Sequence, residues 1–189
     1  MAGQGRSRLT RDDWTSAALR ALATGGLGAV AIEPLATTLG ATKGSGYWHF
    51  ANRADLVTAT LDRWEQDHTA AVIAQVERSA TAEVRLRDLF QLVMTHAGPN
   101  SVELALLASA TDPPVAAALQ RVTQRRLTYL TELFAELGFD PAQAQHRALL
   151  AYTTYLGHAQ LSRTAPSAVP VGDDRAAYLQ SVMTALLGP

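Results

Sequence analysis

A chain of 189 residues, 48% apolar and 17% charged, can bury the core of one domain or of two small ones, and is too apolar for a disordered segment. The absence of cysteine excludes disulfides and thiolate metal sites. The net charge of −1 is unevenly spread: Met1–Arg53 has six Lys/Arg against three acids, and the remainder ten against fourteen, so only one end suits a negatively charged partner.

Helical period dominates from end to end, and no segment shows clean strand alternation. The first helix is predicted from Thr10 or Arg11 to Gly25-Gly26, with Asp12 and Asp13 in its first turn and Trp14, Ala18, Leu19 and Leu22 on one face. A short second helix covers Ile32 to Leu39, with Pro34 in its first turn and Gly40 as its stop. A third runs from about Lys43 to Phe50 behind Thr42 as N-cap. Asn52 then caps a long fourth helix reaching about Arg78.

Five more helices follow, at about Glu83–Ala97, Val102–Ala110, Val115–Leu137, Ala142–Arg163 and Asp174–Leu187. Gly98-Pro99-Asn100, Asp112-Pro113-Pro114, "GFDPAQ" and "TAPSAVPVGDD" separate them. The expectation is an all-α chain of about nine helices, with no internal repeat. The start "MAGQGRSRLTRDDW" lacks an apolar leader, and no run of about 18 apolar residues occurs, so the expectation is a soluble cytoplasmic protein with no membrane partner.

The segment "GATKGSGYWHF", Gly40–Phe50, is too polar for core and too aromatic for an ordinary loop. The second and third helices and their glycine turn have the punctuation of a helix-turn-helix. Thr42 and Lys43 at a helix N-terminus suit phosphate. Gly44 and Ser45 permit close approach to base edges, and Tyr47, Trp48 and His49 join flat apolar area to a polar donor. His49 equally fits packing between the third and fourth helices. Arg6 and Arg8 suit a minor-groove arm or an ordinary terminus.

These residues resemble the DNA-binding signature of the tetracycline-repressor (TetR) family of bacterial regulators. The resemblance rests on Leu35-Ala36, Gly40, Thr42-Lys43-Gly44, Tyr47-Trp48-His49-Phe50, Arg53 and Leu56, within about Thr10 to Trp64. It implies a homodimeric, ligand-responsive repressor released from palindromic operator DNA by a small molecule. It divides the chain into a DNA-binding head, 1–53, and an effector-binding and dimerisation body, 54–189. Thr42, Lys43, Gly44, Ser45, Tyr47, Trp48, His49 and Arg53 become the candidate DNA contacts. Three positions depart from the pattern: Gly46 stands where leucine is usual, Glu33 where basic or neutral residues are commoner, and Ala31 where Ser or Thr caps. The expected consequences are a lost packing contact and a loose recognition helix, repulsion of phosphate or acceptance from a cytosine amine, and a cap loss of about 1 kcal/mol.

On the middle helices, Trp64, His68, Phe90, Met94, Tyr129, Phe134 and Tyr152 are the candidate wall of an apolar effector cavity, although residues of these types are more often plain core. The few charges there point to a neutral, apolar effector. Leu149, Thr153, Leu156, Gly157 and Gln160 share one stripe of the penultimate helix. With Tyr178 and Val182 of the last helix they are the candidate dimer seam, a pattern that an intramolecular core shares. Glu65 and His68 have a di-iron spacing but lack the other ligands, so no metal is expected. No catalytic constellation or cofactor motif occurs, and the expectation is a protein that is not an enzyme. The rival is a helical-bundle enzyme or small-molecule carrier with an incidental head.

Overall fold

The computed structural model describes residues 8–98 and 101–188, so Arg6, Pro99 and Asn100 lie outside the described part. Every regular element in it is helical: α1 (Arg11–Gly25), α2 (Ile32–Leu39), α3 (Lys43–His49), α4 (Arg53–Glu65), α5 (Ala71–Val76), α6 (Ala82–His96), α7 (Val102–Leu107), α8 (Pro113–Glu136), α9 (Pro141–Thr164) and α10 (Asp173–Leu187). A π-helical turn, Gln66–Ala70, joins α4 to α5 in one rod, so the described residues form nine helical rods.

Side chains start most of these helices. Thr10 and Asp13 form a reciprocal capping box on α1, with Asp13 N–H donating to Thr10 Oγ1 at 3.1 Å and Thr10 N–H to Asp13 Oδ2 at 2.7 Å. Thr42, Asn52, Thr81, Asp112 and Asp140 accept the N–H three residues on in α3, α4, α6, α8 and α9. Ala31 gives α2 no side-chain cap, as its residue type dictates. Gly40 takes the left-handed conformation, φ 62° and ψ 32°, that closes α2 and turns the chain into α3.

Two apolar clusters hold the molecule. The first joins the head to the body: Trp14, Leu22, Phe50, Leu56, Trp64, Leu106 and Val122 bring α1, α4, α7 and the first half of α8 together. The second, around Leu86, Phe90, Leu133, Phe134, Ala148 and Met183, is made by α6, the rest of α8, α9 and α10. A chain cut at Arg53 would therefore divide the first cluster. Arg63 adds a polar tie, pairing with Asp12 of α1 and, at 2.9 Å, with Asp67 of the π turn.

The expectation of a lost contact at Gly46 is corrected here. Gly46 is buried, and a Cβ built on it would stand 2.6 Å from Ile32 Cγ2 and 2.8 Å from the Trp14 ring. The indole of Trp14 fills the space that a side chain at position 46 would need, so α3 packs hard against α1 and α2. Gly46→Leu is expected to cost about 1–3 kcal/mol by overpacking, seen as a lower midpoint in thermal denaturation.

Candidate nucleic-acid interface and central cavity

With Gly46 turned inward, the opposite side of α3 faces solvent. Thr42, Lys43 and Gly44 are exposed, Tyr47 is 49% and Trp48 66% exposed, and Ser45 is half-buried. Large aromatics left this open on a capped helix are unusual, because burial of either would contribute on the order of 2 kcal/mol. Arg8 lies with its guanidinium carbon 3.7 Å from the Trp48 ring centre, so the segment before α1 adds a cation to this face.

Two candidate contacts also carry hydrogen bonds within the head. The Nε2–H of His49 donates to the Leu9 carbonyl at 2.9 Å, fastening that segment to α3. Arg53 donates from Nε to the Val30 carbonyl at 2.9 Å and from Nη2 to the Leu27 carbonyl at 2.7 Å. Arg53 thus satisfies carbonyls of the short turn between α1 and α2. Glu33 is exposed on α2.

The cavity lies between the rod of α4 and α5, α6, α8 and α9. His68, Phe90, Tyr129 and Tyr152 line it, with Thr69, Val72, Ile73, Leu89, Val93, Arg126, Leu130, Ala151 and Tyr155. Its volume is about 70 Å³, small beside the roughly 300–1,000 Å³ of sites for drug-sized ligands. Trp64, Met94 and Phe134 do not reach it. Trp64 is buried behind Arg126, whose guanidinium carbon is 5.6 Å from the ring centre, while Met94 and Phe134 sit inside the second cluster. One apolar stripe carries both core and cavity wall, and only the rotation of each helix separates them.

The polar end of the cavity was missed in the sequence. Arg126 Nη1 donates to Glu103 Oε2 at 2.6 Å, Nε to Thr69 Oγ1 at 3.0 Å and Nη2 to the His68 carbonyl at 3.1 Å. Glu103, 3% exposed, also accepts from the hydroxyls of Tyr152 at 3.0 Å and Tyr155 at 3.1 Å. Burial and then the Glu103 charge raise the pKa of both tyrosines, which stay neutral donors. Arg126 pKa is raised, its Glu103 partner outweighing the burial that alone would lower it. The π turn delivers Thr69 Oγ1 and the His68 carbonyl to Arg126 together. The available signals were a lone carboxylate in the apolar run "VELALL", and Arg126 midway between Val122 and Leu130 on the inward stripe of α8.

Among the described residues no three His, Cys, Asp or Glu side chains cluster as metal ligands, and no helix is long and apolar enough to cross a membrane.

The described residues join a helix-turn-helix head, with the short capped α3 open to solvent, to a helical body that holds a mostly apolar cavity. Residues 15–60 match the family model described as bacterial regulatory proteins, tetR family. Two curated Pseudomonas putida proteins, the HTH-type transcriptional regulator TtgR and the probable regulator ArpR, are each 39% identical over 59 residues. That stretch is 31% of this chain and 28% of each relative. Over nearly the whole length the fold matches a Rhodococcus sp. transcriptional regulator, with a TM-score of 0.74, 20% identity and 95% of both chains covered. It also matches AibR, solved with isovaleryl coenzyme A and operator DNA, at a TM-score of 0.68 and 17% identity, covering 95% of this chain and 98% of that one. The head thus carries the tetR family match over residues 15–60, and the fold of the whole length is that of the solved regulators.

Removing one partner of the buried pair leaves an uncompensated charge. Glu103→Ala is expected to cost roughly 3–5 kcal/mol in urea denaturation, whereas Glu103→Leu combined with Arg126→Met recovers most of that loss.

Proposed function

We propose that this chain is a homodimeric transcriptional repressor of the cytoplasm, released from palindromic operator DNA when a small molecule enters the central cavity. The observation that carries this reading is the open face of α3, where Lys43, Tyr47 and Trp48 project beyond the Thr42 N-cap. In this reading 1–53 is the DNA-binding head and 54–189 the effector-binding and dimerising body. Lys43 and the α3 N-terminus meet phosphate, with Thr42, Gly44 and Ser45 close to the backbone. Tyr47 and Trp48 lie against sugar and base edges, and His49 and Arg53 hold the head in shape.

The seam we propose lies on α9 and α10. Leu149, Leu150 and Leu161 are 53%, 50% and 45% exposed in the single chain, and Thr153 and Gln160 are exposed between them. Nothing lies within 4 Å of a Cβ built on Gly157, which leaves room for a partner helix to approach closely. Leu156, Tyr178 and Val182 are half-buried at its margin, Tyr178 stacked on His158 with ring centres 5.6 Å apart. Two heads held by such a seam at about 34–36 Å meet successive major grooves on one face of the duplex. A ligand that enlarges the small cavity displaces the π turn and α6, favouring a head spacing that no longer fits. The shift is bounded by the ligand's preference for that state.

Lys43→Ala with Tyr47→Ala is expected to abolish the specific band in a mobility-shift titration on DNA upstream of the gene, the dimer persisting. Lys43→Ala alone should reduce the salt slope of log K by about 1.8 for a dimer, two phosphate contacts at about 0.9 each. Tight binding by the double variant would remove α3 as the reading element. Gly157→Arg is expected to give a monomer in sedimentation equilibrium with unchanged helicity, and a persistent dimer would place the seam elsewhere.

A further inference from the structure

We propose that the effector is a neutral, compact apolar molecule bearing a carbonyl oxygen, and that Arg126 recognises that oxygen. This rests on the cavity being the effector site. Arg126 has five N–H groups, and three are committed, to Glu103, Thr69 and the His68 carbonyl. One N–H on each terminal nitrogen is left, on a residue that lines the cavity. Glu103 is not part of the cavity wall, so the polar group offered to a ligand is a donor with its charge already balanced.

That balance selects the ligand's charge. Arg126 and Glu103 are paired at 2.6 Å and are 13% and 3% exposed. A carboxylate set on Arg126 would leave an excess negative charge beside Glu103, among Val72, Leu89, Phe90 and Leu130. A cation would face the guanidinium itself. Either is disfavoured by desolvation and repulsion. A carbonyl accepts from an unclaimed N–H without adding charge. The Tyr152 and Tyr155 hydroxyls already donate to Glu103, whereas Arg126 brings unclaimed charged donors to this end of the cavity. The same guanidinium holds the π turn of the α4–α5 rod and, through Glu103, α7, which packs on α1. A ligand oxygen that draws on Arg126 therefore pulls on both connections to the head.

The test is calorimetry and saturation-transfer NMR on the full-length protein with cyclohexanone, methylenecyclohexane, cyclohexanecarboxylate and cyclohexylamine. These share one ring and differ in the head group. Cyclohexanone is expected to bind at least about tenfold more tightly than each of the others, the range of one hydrogen bond to a charged donor. R126K keeps a cation for Glu103 but loses the planar donor pair. It should bring cyclohexanone down to the affinity of methylenecyclohexane, whose own binding stays unchanged. Equal or tighter binding of the carboxylate or the hydrocarbon overturns the proposal, as does the absence of binding by all four. If R126K does not fold, the wild-type order decides alone. DNA binding is scored separately. A protein that selects DNA but shows no preference for the ketone defeats this inference and not the regulator reading. Ketone binding through Arg126 without DNA selection does the reverse.

Discussion

One ion pair stands where the parts of this molecule meet. Arg126 and Glu103 link α8 to α7 at 2.6 Å, and Arg126 reaches on to Thr69 and the His68 carbonyl in the π turn. Desolvating both charges is expensive, and the pairing together with the hydrogen bonds each group makes renders the arrangement tolerable. Glu103 has three donors and Arg126 three acceptors. The pair contributes less to net stability than to geometry, because few rotations of α8 and the rod satisfy every member at once.

The consequence reaches the head through packing. Trp64 lies under the guanidinium and belongs to the cluster that contains Trp14 and Phe50. Trp14 in turn presses on Gly46, and that contact fixes how far α3 stands out from the body. A continuous line of buried groups thus joins the polar end of the cavity to the exposed face of α3. Interiors packed this densely shift between discrete arrangements and do not deform smoothly.

The head was legible because its signals are local. Caps at Thr10, Thr42 and Asn52, the glycine turn at Gly40 and the residue types of α3 all act within a few positions of the chain. The body was legible as helices and boundaries, since Asp112 and Asp140 before proline mark N-termini wherever they stand. The cavity wall was legible only in part. A helix carries one apolar stripe, and the residues on it that meet a neighbour differ from those that meet empty space by a few tens of degrees. The π turn changes that rotation within the α4–α5 rod, bringing His68 and Thr69 to the cavity while Trp64 stays in the core.

The sequence by itself determined the all-helical class, the order and ends of the helices, and the helix-turn-helix residues, because hydrophobic period and capping are short-range physics. Tertiary structure alone decided that Gly46 is a point of close contact, that Arg53 closes a turn, and that Glu103 finds Arg126 across 23 residues. Each of these depends on what a distant segment places opposite the residue. A buried charge in particular has no meaning until its partner is known.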